Sequence, residues 1–253
     1  MGMGVAGSYL MARLKKSNHE VTGYERNTED RHDSICAWGT IKPVLTEFCK
    51  KVDRDFNDFL IHDGKKMHVK MNDDIKFDIG LHGMCTYDKL SLIKDFIKDS
   101  KIIYGQTPKL EELEKEYDLI VDCTGFSRAY LPKMEEDFFL PTYEYKVEYE
   151  NGVPYDDFYI EPFPGMSGYF WYFPLGEKWA HIGAGDYNKN HIKATDEFLK
   201  KHGGKVLKTK GRPIRLATPN KCKPFFKGKV VGVGESIGTV YALLGEGIIP
   251  SMQ

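Results

Sequence analysis

Hydrophobic and polar positions change period along this chain, and the changes mark its elements. Residues 8–17, SYLMARLKKS, carry Tyr9, Leu10, Ala12 and Leu14 in a helical pattern, and residues 19–26, HEVTGYER, predict a strand with Glu25 near its end. Residues 40–60 predict a helix, with Val44, Leu45, Phe48 and Val52 at helical spacing. Residues 65–80 alternate as two strands around a turn at Asn72-Asp73-Asp74. Residues 87–97 read as a helix. Residues 110–128 combine a short charged helix with a buried strand ending at Cys123-Thr124-Gly125. Residues 138–190 are strand-rich and aromatic, with turns at Asn151-Gly152 and Pro164-Gly165. Residues 195–201 predict a helix that Gly203-Gly204 ends. Residues 229–235 predict a buried strand ending in Glu235, and residues 244–248, LGEGI, the opening of a helix.

Within the aromatic region Tyr169, Trp171 and Phe173 recur at period two, which puts them on one face of a strand. Pro174 ends that strand because it has no N–H for the ladder. Eight residues later Gly183-x-Gly185 lets a backbone run close to something flat or bulky. An aromatic wall beside such a backbone suits a large apolar ligand. His181, next to these glycines, reads as a hydrogen-bonded structural residue.

The start of the chain carries a second signal. Residues 2–7 read Gly2-Met3-Gly4-Val5-Ala6-Gly7, a G-x-G-x-x-G that opens the first helix. The following strand ends in Glu25, about 20 residues on, as a dinucleotide site requires. Gly2 makes the turn, Gly4 admits the pyrophosphate, and Gly7 lets helix and sheet pack closely. The helix N-terminus, from Val5 and Ala6, supplies N–H groups for phosphate. Glu25 binds a ribose hydroxyl, with Arg26 beside it. Such a fingerprint is normally preceded by a strand, and only Met1 stands before it. The expectation is therefore of a chain whose true beginning is not represented.

Taken together, these residues resemble the geranylgeranyl reductase family of FAD-dependent oxidoreductases, and more widely flavoproteins similar to p-hydroxybenzoate hydroxylase. The most specific element is Tyr169-x-Trp171-x-Phe173-Pro174 followed by Gly183-x-Gly185, the family's substrate-cavity signature. The resemblance implies an α/β fold: a Rossmann-like FAD-binding domain (1–65, 86–136 and 221–253) with an inserted antiparallel substrate sheet (66–85 and 137–220). It implies FAD as cofactor, held by Gly2, Gly4, Val5, Ala6, Gly7, Glu25, Arg26, Ala37, Thr124, Gly125, Gly234, Glu235, Gly247 and Ile248. It implies Cys36 at the flavin's active face. Here Ala37-Trp38 intervene between Cys36 and Gly39, where relatives follow the cysteine with glycine. Glu235 stands where relatives usually have Asp, and their C-terminal region has no counterpart.

The activity implied is saturation of C=C bonds in geranylgeranyl chains of archaeal membrane-lipid precursors. The implied partners are an isoprenoid lipid, an electron donor (ferredoxin or NAD(P)H) and the membrane surface, touched peripherally from the cytoplasmic side. A flavin monooxygenase of the p-hydroxybenzoate hydroxylase type, or an inactive fragment, are the alternatives.

Composition narrows this further. A formal net charge of −1 gives no reason to expect nucleic acid as a partner. No apolar run is long enough to span a bilayer. Five cysteines without scaffold spacing read as reduced thiols, and with no C-x-x-C pair no metal site is expected.

Overall fold

The structure, a computed structural model, describes residues 1–34, 36–150 and 152–253. In chain order the elements are α1 (Val5–Leu14), β1 (Thr22–Glu25), β2 (Gly39–Ile41), α2 (Lys42–Lys50), β3 (Leu60–Asp63), β4 (Lys66–Lys70), β5 (Lys76–Gly80) and β6 (Met84–Tyr87). They continue with α3 (Lys89–Ile97), β7 (Lys101–Tyr104), α4 (Leu110–Glu116), β8 (Ile120–Asp122), β9 (Phe139–Glu148), β10 (Phe158–Pro162), β11 (Gly168–Pro174) and β12 (Trp179–Asp186). Last come α5 (His191–His202), β13 (Lys205–Arg215), β14 (Phe226–Lys227) and β15 (Val230–Gly232).

Two small sheets are joined by the first residues of the chain. β1 and β7 pair in parallel, as do β8 and β15. Between the pairs, the Gly2 N–H donates to the Tyr24 carbonyl at 2.8 Å. On the other side the Met1 amino group donates to the Val121 carbonyl at 2.8 Å, and the Cys123 N–H donates to the Met1 carbonyl at 2.9 Å. Met1 and Gly2 thus sit where a central strand delivers the chain into α1, and both neighbouring strands aim their C-terminal ends at the α1 N-terminus. That is the place where ligands bind in doubly wound sheets.

The large sheet has seven strands in the order β13-β9-β12-β11-β10-β4-β5, antiparallel except between β10 and β4. Its two faces differ. One is covered by α5, where Phe198 packs among Tyr159, Phe170, Tyr172, Ile182 and Ala184. The other face looks toward the first part of the chain. A fourth sheet, β2-β6-β3, packs on the large one: Gly39 of β2 lies under Phe173, and the Thr86 hydroxyl of β6 donates to the Pro174 carbonyl. Helices α1, α2 and α3 share one core built on Tyr9, Leu45, Phe48, Phe56, Tyr87 and Phe96.

Several boundaries differ from the sequence expectation. The helix expected over 40–60 is only α2, and Phe56–Phe59 form a separate turn of 3₁₀ helix. Val52 keeps its apolar contact because it is buried in the shared core, not because the helix continues. Tyr87 ends β6, and α3 starts after Asp88, whose side chain accepts the Ser91 N–H. Glu235 falls beyond the last strand, in a 3₁₀ turn over Gly234–Ile237. Residues 244–248 form turns instead of a helix, because the Glu246 carboxylate takes up the Ile248 and Ile249 N–H groups. The turn at Asn72 is as expected: its side-chain oxygen accepts from the Asp74 and Ile75 N–H groups. Of the turn expected at Asn151-Gly152, Asn151 lies outside the described residues.

Candidate functional site

The glycine loop at the start of α1 has three differently crowded positions. Gly2 has φ +86, and a Cβ there would meet the Cys123 carbonyl oxygen at 2.7 Å. A Cβ on Gly7 would collide with the Gly2 carbonyl oxygen. Around Gly4 a Cβ would meet nothing within 4 Å. The turn, the open approach and the close packing fall on the first, second and third glycines, as a pyrophosphate site demands. No side chain caps α1, and no acidic residue stands in its first turn. Its N–H groups and its positive end are left for an anion.

The other residues expected here converge on the same point. Gly234, at φ +74, brings its turn so close to α1 that a Cβ would lie 2.9 Å from the Ala6 Cβ. Gly2 packs on Thr124, and Gly125, at φ +63, faces the Glu235 carboxylate. Buried Arg215 fastens this assembly: its guanidinium donates to the Gly125, Phe126 and Glu235 carbonyls and pairs with Asp137 at 2.9 Å. Arg128, in the left-handed region at φ 44, donates to the Pro132, Pro224 and Ser236 carbonyls. Both acids expected to bind the ligand already hold backbone. Glu25 accepts the Met3 and Asn27 N–H groups, each at 3.0 Å. Glu235 accepts the Arg215 N–H at 2.9 Å and pairs with Arg212 at 3.1 Å. The Thr124 hydroxyl donates to Asp122 at 2.7 Å, so its own contribution is through backbone. Arg26 is exposed. Gly247 is half-buried, and Ile248 is buried in the core shared by α1, α2 and α3.

The aromatic wall lies on the face of the large sheet that looks toward the first part of the chain. Its register is informative: Tyr169 pairs with Gly185, Trp171 with Gly183 and Phe173 with His181. Directly opposite residues share a face. The signature's aromatics and glycines are therefore cross-strand partners. A Cβ on Gly183 would come within 2.6 Å of the Trp171 ring, so the flat group these glycines admit is the chain's own indole. A Cβ on Gly185 would meet Leu140 at 2.7 Å. Phe173 presses on the Gly39 backbone and stands edge-on to Phe158 at 4.9 Å. The Tyr169 hydroxyl donates to the Leu244 carbonyl at 2.6 Å, tying the wall to the C-terminal segment, and burial raises its pKa. Pro174 is the last residue of β11, and its carbonyl accepts the Thr86 hydroxyl at 2.6 Å.

Cys36 stands where the wall meets the first part of the chain. It is half-buried, whereas the other four cysteines are buried. Its Sγ accepts the Trp38 N–H at 3.4 Å. Trp38 has φ 64, a conformation a bulky residue adopts only under constraint. Its ring is held edge-on to His181 at 4.9 Å and lies 5.1 Å from the Lys146 ammonium. Ala37 joins the two and is half-buried. Burial pushes the His181 imidazole down to about 3, against a hydrogen bond with the Ala37 backbone; Lys146 and Lys208 add to the drop. His181 is neutral at ordinary pH and serves the wall as a packed ring. The indole nitrogens of Trp38 and Trp171 are buried without a hydrogen-bond partner among the described residues.

One site residue escaped the sequence reading. Glu144 on β9 is only 7% exposed, pairs across the sheet with Gly183, and accepts the Cys36 N–H at 3.1 Å. Burial pushes its carboxyl up to about 7, against the pull of Lys89, the Cys36 N–H, Arg212 and Lys208. Alternation in TYEYK, residues 142–146, places it on one face with Thr142 and Lys146, but nothing local signals burial.

No protein-family model matches this chain, and no curated protein matches it in sequence. Solved structures do match its fold. A geranylgeranyl bacteriochlorophyll reductase-like protein from Thermoplasma acidophilum superposes with a TM-score of 0.78 at 16% identity, over 99% of this chain and 73% of that one. A probable FAD-dependent monooxygenase from Pseudomonas aeruginosa gives 0.71 at 12% identity, over 99% of this chain and 81% of that one. A flavin-dependent halogenase from Xanthomonas campestris gives 0.70 at 15% identity, over 100% and 68%. The chain therefore has the α/β fold that this reductase-like protein, the FAD-dependent monooxygenase and the flavin-dependent halogenase share.

Proposed function

We propose that this protein is an FAD-dependent reductase that saturates C=C bonds of geranylgeranyl chains in membrane-lipid precursors of the archaeal type. The observation that carries the reading is the pairing of an open Gly4 at the α1 N-terminus with an aromatic wall. In this reading residues 1–65, 86–136 and 221–253 form the cofactor portion, and 66–85 with 137–220 the substrate portion. FAD fits the loop: Gly2, Gly4, Val5, Ala6 and Gly7 would hold its pyrophosphate, Glu25 and Arg26 its adenosine end. Ala37, Thr124, Gly125, Gly234, Glu235, Gly247 and Ile248 would border the rest. The bound cofactor supplies two-electron reduction.

The chain's own residues do the remainder. An unactivated alkene offers no carbonyl for hydrogen-bond donors to polarise, so positioning must carry much of the catalysis. Tyr169, Trp171, Phe173, Pro174, Gly183 and Gly185 form the wall against which an isoprenoid would lie. Cys36 gives a proton to the alkene carbon that does not receive hydride. A ferredoxin or NAD(P)H would reduce the cofactor, and the lipid would be reached by peripheral contact with the cytoplasmic face of a membrane. Among the described residues no helix is long and apolar enough to cross one.

The test is flavin content followed by product. The purified chain should carry yellow flavin, and Gly4→Trp should abolish it while the variant still folds like the flavin-stripped parent, since a Cβ at Gly4 meets nothing within 4 Å. Equal flavin in variant and parent would remove the assignment of residues 2–7. With dithionite and a geranylgeranyl lipid, mass spectrometry should find hydrogen added in pairs. Oxygen incorporated in its place would favour the monooxygenase reading.

A further inference from the structure

We infer that Lys208, Lys210 and Arg212 of β13 form a seat for a phosphate head, so that the substrate is an isoprenoid phosphate lying across the strands with its chain on the wall. This rests on the reductase reading above and narrows it. The argument begins with register. Each aromatic of the wall starts a cross-strand row that ends in a cation. Tyr169 leads through Gly185 and Thr142 to Arg212, Trp171 through Gly183 and Glu144 to Lys210, and Phe173 through His181 and Lys146 to Lys208. Partners in a row share a face, so the cations stand on the wall face. From β11 to β13 is three strand spacings, about 14 Å. One surface thus carries an apolar end and a cationic end, set apart as the two ends of an amphiphile are.

The charge along β13 is one-sided. Lys208, Lys210 and Arg212 alternate with Thr209, Gly211 and Pro213, which fall on the α5 face. Charges that only blunt an exposed sheet edge need no preferred face. These cations are also gathered. The ammoniums of Lys208 and Lys210 converge on one oxygen, Oδ2 of Asp33, that of Lys210 at 3.3 Å. Arg212 pairs with Glu235 at 3.1 Å, and the Lys146 ammonium lies 5.1 Å from the Trp38 ring. Lys146, Lys208, Lys210 and Arg212 outnumber Asp33, Glu144 and Glu235 even with all three carboxyls ionised. The side chains of Lys208, Lys210 and Arg212 are 42%, 37% and 38% exposed, so an anion can reach them. A guanidinium fork and two ammoniums suit the several terminal oxygens of a phosphate.

The course of the chain follows. Trp38 and Gly39 cover the third row, against His181 and Phe173. The rows of Tyr169 and Trp171 are left for the isoprenoid, and their cationic ends are Arg212 and Lys210. The head fixes one end of the substrate at β13, and the apolar rings take the other.

The test is calorimetric titration of the full chain, with FAD in excess so that its own phosphate site is filled. Geranylgeranyl phosphate and geranylgeraniol are compared below the concentrations at which they form micelles. The parent should bind the phosphate about tenfold tighter or more, and the preference should shrink in high salt. K210Q and R212Q should each lose about tenfold in affinity for the phosphate and keep their affinity for the alcohol. K210R keeps the charge and should keep the preference. Equal affinity of the parent for the two lipids would overturn the inference, and so would K210Q and R212Q variants that retain the full preference. NADPH is the control for a phosphate from another source. If it binds more tightly than the lipid phosphate and loses as much in K210Q and R212Q, the seat belongs to the electron donor and the lipid assignment falls. Should a variant fail to fold, the parent's choice between the two lipids and its salt dependence decide. A parent that prefers the phosphate but saturates neither lipid with dithionite defeats the reductase reading alone. A parent that saturates both without preference defeats the seat alone.

Discussion

Glycines are used in opposite ways by the loop at the start of α1 and by strand β12. At Gly4 the missing side chain leaves space that nothing in the protein fills. At Gly183 the missing side chain leaves space that Trp171 fills, with the Tyr143 carbonyl 2.6 Å from where a Cβ would be. One absence leaves an open approach and the other serves packing. A G-x-G pattern by itself does not distinguish them; the neighbours across the fold do. The wall is thus a structure that holds its own aromatics in place.

The largest effect is expected at Trp171. Trp171→Ala empties the space over Gly183 and should cost about 3–5 kcal/mol of stability. Gly183→Ala in the parent should also destabilise, because the new Cβ meets both indole and backbone. In the Trp171→Ala background the same substitution should cost less, with a coupling of about 0.5–3 kcal/mol in denaturant unfolding. Additive losses would mean that the indole does not fill the glycine's space.

A second measurement separates Glu144 from the rest of the wall. Its carboxyl moves from an ordinary 4.5 to about 7 on folding. Between those values the folded chain holds a proton that the unfolded chain releases, so stability falls as pH rises through the window. The full loss is on the order of 3 kcal/mol. E144Q does not titrate. Its melting temperature should gain on the parent's from pH 4.5 to 7 and then keep a constant lead. His181, with its lowered pKa, pulls the other way but is present in both proteins and cancels in the difference. Parallel curves would show that Glu144 is solvated.

These two sites also show what can be read from sequence. The glycine loop was legible because its roles are local: turn, approach and close packing fall within six residues, and Glu25 follows on the next strand. Period two placed Tyr169, Trp171 and Phe173 on one face for the same reason. The partner of Gly183 was not legible, because register between strands is set by the whole sheet. Glu144 was hidden more deeply. In a strand with alternating charges it looks like a solvated acid, and its burial depends on a turn 108 residues away. The end of the helix predicted over 40–60 was missed because Val52, beyond α2, is buried by tertiary contacts that mimic helical spacing.

The smallest expected effect sharpens the comparison most, since it lies within a single loop. Gly4 has φ −75 and ψ −160, which any residue adopts, and an added methyl meets nothing. Gly4→Ala should therefore leave the fold intact. Its stability should stay within about 1 kcal/mol of the parent's, since restricting the unfolded chain is offset by alanine's poorer fit at the α1 N-cap. Gly7→Ala, three residues on, drives its methyl into the Gly2 carbonyl and should destabilise by about 1–3 kcal/mol. Thermal unfolding of the two variants reads the difference directly. Flavin titration then gives the complementary pattern: a methyl at Gly4 intrudes only on bound pyrophosphate, so binding weakens while stability does not. If Gly4→Ala unfolded as readily as Gly7→Ala, the space at Gly4 would be packed by the protein, and the loop would be no more open than the wall.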